Sequence, residues 1–492
     1  MRMHEGATSP VTPLRSSKSR TPMPDNTILA LVVIVYLSAL IALGVFMSKR
    51  VASASDFLVA GRRLGFPLTT ATLAAVQLGA GVILGGSAMA AQFGMWPGVW
   101  YGLGCGGGLI LAGLLVAAKM RRHGGYVPLD FFSSRYGERK WVRVWGWMSN
   151  IPSLLGIFVA QLMAAGSIMT IFGFGYTQGI IIVAVAIMLY SSLGGMWGVV
   201  TVDLVQLGTI LLGIPLVTVV ALLRFGDLGS LGGILSTPFI PTGMGSRAIF
   251  LIVPFLLSIS VSYDAFMRYQ SAKSEAVAKW SCILAGLIVI GLSLCVGVIG
   301  AIGRSLYPEI GHQEVLPFVI EALLHPVAAG LVVSALLAAV MSSSNCLLIS
   351  LSACFTRDLY NKVFNPEVKL DDLKHTRTLS RAVIAVSAIA GILIASRAGG
   401  ILDTIIIFNY PYMGSMLVPL LGGVLFPKAT AKGAIAAMLV GGTIGVVSFL
   451  AGVPGRIHGL FNIDLGLLLA YTASAIVFVV VSLHTHSKQK RA

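Results

Sequence analysis

Long apolar runs separated by short polar segments make up the chain from about residue 27 to residue 484. Most of these runs are close to the ~20 residues that an α-helix needs to cross the hydrocarbon core of a bilayer. The pattern therefore predicts an all-α membrane protein with about 13 transmembrane helices. We place predicted helices 1 to 13 at residues 27–47, 67–94, 98–118, 144–173, 178–193, 198–223, 249–267, 280–303, 327–352, 379–396, 401–426, 433–452 and 465–484.

Composition agrees with this class of protein. Charged residues make up only 11% of the 492 positions and the mean hydropathy is +0.90, whereas a soluble protein carries about 25% charged residues. The lipid bilayer is therefore the expected surrounding of most of the chain.

The net charge of +16 does not indicate a nucleic-acid partner, because the basic residues alternate with the predicted helices. Of the 34 Lys and Arg residues, 25 lie in residues 48–66, 119–143, 268–279, 357–381, 427–432 and the C-terminal tail. Cytoplasmic segments of membrane proteins carry such an excess. We therefore expect a multi-pass protein of the cell membrane with its N-terminus outside and its C-terminus in the cytoplasm.

The chain divides into three parts on the same grounds. Residues 1–25 are rich in Ser, Thr, Pro and Arg, which is typical of a disordered tail. Residues 26–484 are expected to form a single transmembrane domain, and residues 485–492 a basic cytoplasmic tail.

No enzyme signature is found. The glycine-rich residues 102–108 lack the Lys-Ser/Thr of a phosphate-binding loop, and glycines in a membrane helix favour close helix packing. Ser342 has no nearby histidine or acid that would make it a nucleophile. The five cysteines lack the spacing of a zinc site or a disulfide framework. We expect a protein that is not an enzyme.

A polar cluster interrupts predicted helix 9. Ala339, Ser342 and Ser343 are spaced i, i+3, i+4 and share one helical face. The two hydroxyls, with a carbonyl freed where a serine pair loosens the helix, suit a small hard cation. Serines that pack helices together are the alternative.

Predicted helix 2 carries a second interruption. Gln77, Gly79 and Gly81 lie in the middle of an apolar span. Glycine-interrupted membrane helices indicate a transporter binding site, because unwound carbonyl groups coordinate ions there. A packing pair of glycines with a hydrogen-bonded Gln77 is the alternative.

Five motifs in order resemble the sodium:solute symporters, the family of the proline, sialic acid and sodium–sugar symporters, from about residue 27 to residue 430. They correspond to the family's SDF(x)xGRxLG, PEFLxxRYG, GGxxxVxxTDxxQ, QRxLAAKS and AAxMSS…DxY patterns, and lie at residues 55–65, 128–137, 194–206, 268–274 and 338–360.

The resemblance implies a LeuT-like fold with a five-plus-five inverted repeat. Repeat one would span residues 67–224 and repeat two residues 249–426, with predicted helices 1, 12 and 13 peripheral and predicted helices 2 and 7 discontinuous. It also implies sodium-coupled symport of a small organic solute by alternating access, with Na+ as the coupling ion. Its ligands would be the carbonyls of Ala75, Leu78 and Ala339 and the hydroxyls of Ser342 and Ser343.

A second ion site of the family is incomplete in this chain. The matching positions are Asp203, Asn345 and Cys346, and a thiol is a poor ligand for a hard cation. We therefore expect one coupled sodium ion. Asp203 is either functional, as intramembrane acids usually are, or hydrogen-bonded to Asn345 or a hydroxyl of predicted helix 9. Coupling to protons through Asp203 and a membrane sensor or receptor of the same fold are the alternative functions.

Solute contacts should come from the two discontinuous helices and predicted helix 11. The WGxGYxxQP run of the proline-transporting members is missing, which argues against proline. Asp264 and Arg268, spaced i, i+4, are expected to form an ion pair at the cytoplasmic end. The candidate solute contacts are Gln77, Gly81, Ser258, Ser262, Tyr263, Asn409, Tyr410 and Tyr412. For Tyr410 and Tyr412, packing against other helices is the alternative.

Overall fold

A computed structural model describes residues 26–49, 53–225, 232–234, 236–365, 373–452 and 463–489. In these ranges the secondary structure is helical, and the β-pairing is limited to one isolated bridge between Leu64 and Ala272. The predicted disordered tail, residues 1–25, lies outside the described residues.

The helices follow from the apolar runs, and we number them in chain order. They are α1 (Asn26–Ser48), α2 (Ala54–Val59), α3 (Phe66–Gln77), α4 (Gly86–Phe93), α5 (Met95–Leu111), α6 (Ala117–His123), α7 (Pro128–Tyr136), α8 (Lys140–Met169), α9 (Tyr176–Phe225), α10 (Gly245–Ser258), α11 (Tyr263–Ser271), α12 (Glu275–Leu306), α13 (Val315–Leu323), α14 (Pro326–Ala353), α15 (Leu373–Ala395), α16 (Ile401–Tyr412), α17 (Val418–Leu425), α18 (Ala431–Gly452) and α19 (Ile463–Gln489).

The all-α membrane architecture is confirmed, but the count of thirteen spans is not. In the described ranges nine helices are long and apolar enough to cross a membrane, or up to twelve if each of three bent pairs is one span. Predicted helices 5 and 6 belong to the single helix α9, whose apolar stretches are Tyr176–Met188 and Met196–Phe225. We expected an interruption at the glycine pair near residue 194, but glycine weakens a helix by only about 1 kcal/mol and does not end it.

Three spans are bent at a short break. The bend is 49° between Phe66–Gln77 and Gly81–Phe93, and 41° between Arg247–Val261 and Tyr263–Ser271. These are predicted helices 2 and 7, the two spans that we expected to be discontinuous. A third bend of 49° separates Ile401–Asn409 from Met413–Leu425, where Pro411 and a π-helical turn accompany the kink.

The glycines of α5 serve close helix packing, as predicted. A Cβ atom on Gly102 would overlap the side chain of Ser293 on α12, and one on Gly286 of α12 would overlap the backbone oxygen of Gly106. A side chain at these crossings would push the two helices apart. The stripe of small residues therefore sets the distance between α5 and α12.

The segments that we expect to face the cytoplasm meet at one end of the helix bundle. Leu64 and Lys273 are joined by a main-chain hydrogen bond of 2.8 Å, and Arg121 Nε donates to the carbonyl of Ala272 at 2.7 Å. Thr430 and Thr485 contact each other at 2.7 Å through their hydroxyls. These contacts place the basic segments together in neighbouring groups, and the side of the membrane that they face stays a prediction.

Packing at the α5–α12 crossing can be tested with valine substitutions. Gly286→Val should lower the free energy of unfolding by about 1–3 kcal/mol, because the added atoms overlap a backbone oxygen that cannot move aside. Gly291→Val, on the same helix, is the matched control, because no atom lies within 4 Å of its Cβ position. The melting temperature of the purified variants measures the difference, and equal melting temperatures would contradict the close crossing.

Candidate functional site

The break after α3 leaves a group of carbonyl oxygens without main-chain partners. The last helical hydrogen bond runs from Leu78 N to Ala74 O at 3.0 Å, and the chain becomes helical again only at Gly81. No backbone amide in the described ranges donates to the carbonyl oxygens of residues 75–78. Such unsatisfied carbonyls in a membrane protein need another partner, which can be a side chain or an ion.

A glutamine from α8 stabilises the same break. The amide N–H of Ala80 donates to Gln161 Oε1 at 2.9 Å, instead of to a carbonyl of its own helix. A Cβ atom on the neighbouring Gly79 would lie 2.5 Å from Gln161 Nε2 and 2.8 Å from Ser343 Oγ. Glycine at position 79 therefore allows both side chains to approach the unwound backbone.

The serine pair of α14 faces this break. Ser343 Oγ donates to the carbonyl oxygens of Ala75 at 3.4 Å and Val76 at 3.2 Å, and both serines are buried. Ser342 Oγ donates to the carboxylate of Asp203. The structure thus brings the two segments of the predicted cation site, the break after α3 and the middle of α14, together.

One expected detail of the serine cluster differs from the structure. We expected the serine pair to loosen the helix and to free a carbonyl, but α14 is a continuous α-helix from Pro326 to Ala353. Ala339 lies within this helix, one turn before Ser343. The hydroxyl of Ser343 donates to carbonyls of α3 rather than to its own helix, so it does not compete with the helical hydrogen bonds of α14.

Asp203 belongs to a buried hydrogen-bond chain that links four helices. In addition to Ser342, its carboxylate accepts a hydrogen bond of 2.6 Å from Thr72 Oγ1. Thr72 Oγ1 in turn accepts from Arg268 Nε at 3.0 Å, and Arg268 Nη2 donates to Cys346 Sγ at 2.6 Å. Asp203 therefore has the predicted hydroxyl partner on predicted helix 9.

The candidate second ion site is brought together only in part. Asn345 is buried and its Oδ1 atom has no hydrogen-bond partner in the described ranges. The sulfur of Cys346 is occupied by the guanidinium of Arg268. Asp203 and Asn345 are therefore buried side chains of one region that no hydrogen bond joins.

The prediction that Asp264 and Arg268 form an ion pair is wrong. Arg268 Nη1 donates to the main-chain oxygen of Asp264 at 2.8 Å, and no ion pair of the described chain includes the Asp264 carboxylate. The guanidinium instead turns towards Thr72 and Cys346. Spacing at i, i+4 made the pair geometrically available, but partners on two other helices bind the arginine.

The second broken span turns at Ser262. This residue is extended, with φ −61° and ψ 155°, and its hydroxyl accepts from Ala265 N at 3.4 Å, which caps α11. Tyr412 of α16 donates to the carbonyl of Val261 at 2.7 Å, so α16 is attached to this break. Asn409 accepts a 2.5 Å hydrogen bond from Ser153 Oγ, which joins α16 to α8.

A cavity lies between the two breaks and is lined by α5, α8, α14 and α16 in addition. The volume that the centre of a water molecule can occupy in this cavity is about 40 Å³, so the cavity is narrow in this conformation. Seven of the eight predicted solute contacts line it, and the side chain of the eighth, Tyr410, is outside the described residues. The seven are Gln77, Gly81, Ser258, Ser262, Tyr263, Asn409 and Tyr412.

Several lining residues were missed, above all the polar stripe of α8. Asn150, Ser153, Ile157 and Gln161 all line the cavity and are three or four residues apart, so they share one helical face. This spacing was visible in the sequence as three polar residues on one face of an apolar span. Tyr101 and Asp264 were also not among the predicted contacts.

A charge cluster at the end of the bundle that we expect to face the cytoplasm adjoins the cavity. The buried Arg143 donates to Asp358 at 2.9 Å, to Asp130 at 3.1 Å and to Glu138 at 2.5 Å. Tyr263, which lines the cavity, donates to the other oxygen of Asp358 at 3.2 Å. The cluster thereby connects α7, α8 and the π-helical segment Cys354–Phe364, which follows α14, to the second break.

Two acids of this cluster, Asp130 of α7 and Glu138 just after α7, have lowered pKa values. Burial alone would raise the pKa of Asp130, but the guanidinium groups of Arg357 and Arg143 lower it below its usual value. Hydrogen bonds from Arg143 likewise lower the pKa of Glu138. A carboxylate with a depressed folded pKa stabilises the protein above its unfolded pKa, and this contribution is lost as the pH falls through the folded value.

Comparisons with known proteins agree in one family. The model of the sodium:solute symporter family matches residues 57–236 and 250–441. The sodium/pantothenate symporter of Escherichia coli K12 is 26% identical over 89% of this chain and 94% of its own length. The sodium/proline symporter of the same strain is 25% identical over 92% of this chain and 96% of its own length.

Solved structures support the fold. A Na+-coupled sialic acid symporter in a substrate-bound outward-open state has a TM-score of 0.75 at 18% identity, covering 92% of this chain and 97% of that one. A nucleobase-cation-symport-1 family transporter has a TM-score of 0.57 at 16% identity, covering 87% and 94%. The expected LeuT-like fold is confirmed.

The role of Gln161 can be tested against a matched glutamine. Gln161→Leu should lower the free energy of unfolding by about 1–3 kcal/mol, because it leaves the buried N–H of Ala80 without an acceptor. Gln178→Leu is the control, because Gln178 Oε1 also accepts from a backbone amide, that of Gly175, but in an exposed loop. Equal melting temperatures of the two variants would contradict the assigned role of Gln161.

Proposed function

Because this chain belongs to the sodium:solute symporter family, we propose that its coupling sodium ion binds where the break after α3 meets the serine pair of α14. Sodium-coupled symport of a small solute across a membrane follows from the family. The positions of the ion and of the solute, and the cell membrane as its location with the N-terminus outside, are part of the proposal. The chain acts as a transporter, without a catalytic step.

The observation that carries the sodium site is the contact between Ser343 and the free carbonyls of α3. Ser343 Oγ lies 3.4 Å from Ala75 O, and the carbonyls of residues 75–78 have no backbone donor in the described ranges. The ligands would be the carbonyls of Ala75, Leu78 and Ala339 and the hydroxyls of Ser342 and Ser343. Neutral oxygens suit a monovalent ion that has to be released on the other side of the membrane.

One sodium ion per cycle is the proposed stoichiometry. Arg268 occupies the sulfur of Cys346 and, through Thr72, lies next to the carboxylate of Asp203. A fixed positive charge close to Asp203 and Asn345 opposes a second cation at that position. Asp203 then holds Thr72 and Ser342 in place instead of acting as an ion ligand.

The solute is proposed to bind in the cavity between the two breaks, with the seven lining residues predicted from the sequence. The relatives carry pantothenate and proline, which are small organic solutes, and the cavity is lined mainly by hydroxyl, amide and aromatic groups. Alternating access would open this cavity to one side of the membrane at a time, and the Arg143 cluster would close the cytoplasmic side.

Sodium binding is tested by removing single hydroxyls. Ser342→Ala or Ser343→Ala should raise the half-saturating sodium concentration about tenfold or more, since a lost ligand is worth at least about 1.4 kcal/mol. A screen of labelled amino acids, monocarboxylates, nucleobases and sugars first identifies the solute. The half-saturating sodium concentration is then measured by sodium-gradient uptake in proteoliposomes. The sodium-dependent rise in melting temperature, with potassium as control, is the second measurement.

Ser344→Ala is the matched control for these two variants. Ser344 is also buried, but its hydroxyl donates to the carbonyl of Val340 within α14. Its half-saturating sodium concentration should equal that of the wild type. The site assignment is wrong if Ser342→Ala and Ser343→Ala also leave the sodium dependence unchanged.

The stoichiometry is tested separately. We expect a Hill coefficient near one for sodium and a sodium-to-solute flux ratio of one, because the second site is blocked. The double variant Asn345→Ser, Cys346→Ser should raise the Hill coefficient, because it adds hydroxyl ligands near Asp203 and removes the partner of Arg268. Uptake that persists without sodium, follows a pH gradient and is lost in Asp203→Asn would instead identify Asp203 as a proton carrier.

A further inference from the structure

Asp264 is the one charged side chain among the described residues that line the cavity. The other polar groups of the lining are amides and hydroxyls, and the remaining residues are apolar or aromatic. Asp264 is 6% exposed, so its carboxylate is largely removed from bulk water. A solute in the cavity therefore meets one negative charge and no positive one from the lining.

The carboxylate has few partners within the protein. Among the described residues its one hydrogen bond is long, 3.4 Å from Gln77 Nε2, although a carboxylate can accept about four hydrogen bonds. Arg268 interacts electrostatically with Asp264, but its hydrogen bonds go to the main-chain oxygen of Asp264, to Thr72 and to Cys346. The carboxylate therefore keeps acceptor positions that no donor among the described residues fills, and a cationic nitrogen supplied from the cavity would fill them.

The surrounding aromatic residues favour an organic cation over a metal ion. Tyr101 and Phe255 line the cavity and pack edge to face, with ring centroids 4.7 Å apart. The hydroxyls of Tyr263 and Tyr412 donate to Asp358 at 3.2 Å and to Val261 O at 2.7 Å. These two tyrosines therefore offer mainly ring atoms to a solute, and aromatic rings attract ammonium groups.

We propose that Asp264 is a specificity-determining residue that pairs with a cationic nitrogen of the transported solute. The solute would be an amine, a quaternary ammonium compound or an amino-acid zwitterion. An anion without a cationic nitrogen would be repelled by the same carboxylate. This inference rests on the proposed function, because it assigns a solute to the cavity of a sodium-coupled symporter.

The first test compares two sets of solutes on the purified full-length chain. The melting temperature is measured in saturating sodium chloride with choline, glycine betaine, putrescine, L-alanine and L-phenylalanine, and with pantothenate, lactate, galactose and uracil. We expect stabilisation, and sodium-driven currents in proteoliposomes, from members of the ammonium set alone. Stabilisation by members of the second set alone would overturn the proposal.

The second test changes the charge. Asp264→Asn should raise the half-saturating concentration of the stabilising ammonium solute about thirtyfold or more, as expected when one partner of a buried charge pair is removed. Asp264→Glu should retain the preference for ammonium solutes. Asp403→Asn is the matched control, because this exposed acid lies outside the cavity and pairs with Arg247 at 3.4 Å. We expect its half-saturating concentration to equal that of the wild type.

Stabilisation by sodium alone reports whether each variant folds and whether its sodium site is intact. The proposal would be overturned if Asp264→Asn were stabilised normally by sodium and its half-saturating concentration of the ammonium solute were unchanged. The proposal would also be overturned if Asp264→Asn lost its stabilisation by sodium and Asp264→Glu restored it, because Asp264 would then bind sodium. If Asp264→Asn does not fold, the wild-type comparison of the two solute sets decides. Failure of the proposed sodium coupling gives a different result from failure of the Asp264 proposal. Ammonium solutes would then stabilise the protein equally in sodium chloride and in potassium chloride.

Discussion

The hydrogen bonds of the buried Arg268 guanidinium are the interaction on which the site depends. A charge in the interior of a membrane protein is costly unless its donors are satisfied, and Arg268 is 1% exposed. Its donors reach Thr72 before the first break, the main chain of Asp264 after the second break, and Cys346 on α14. One side chain thereby holds both broken spans against the helix that carries the serine pair.

The breaks themselves follow from how backbone groups are satisfied in a membrane. An unwound segment would be unfavourable in lipid, but here it lies inside the protein, where Gln161 accepts from Ala80 and Ser343 donates to the carbonyls of Ala75 and Val76. The same carbonyls are the proposed ligands of the coupling ion. The features that stabilise the break within the protein are therefore also the features that make it a binding site.

Three buried aspartates differ in role because of what surrounds them. Asp358 pairs with Arg143 and accepts from Tyr263, which makes it part of a structural cluster at one end of the cavity. Asp203 accepts from two hydroxyls, those of Thr72 and Ser342. Asp264 has one long hydrogen bond in the part of the chain that the structure describes, and it lines the cavity. The three aspartates thus have different roles: Asp358 stabilises a cluster, Asp203 orients a hydroxyl, and Asp264 remains available to a solute.

The sequence by itself determined the membrane class, most spans and the first break, because hydropathy and glycine position are local properties of the chain. The second break and the seven cavity residues were predicted from the resemblance to the sodium:solute symporters. The tertiary structure alone decided which polar groups meet. Asp203 bonds Thr72 from 131 positions away and Ser342 from 139, and Arg268 bonds Thr72 from 196. No periodicity encodes contacts over such separations. For this reason Asp264 and Arg268, spaced i, i+4, were wrongly expected to pair. The polar face of α8 can be read from the sequence, but only the packing of the helices places it in the cavity.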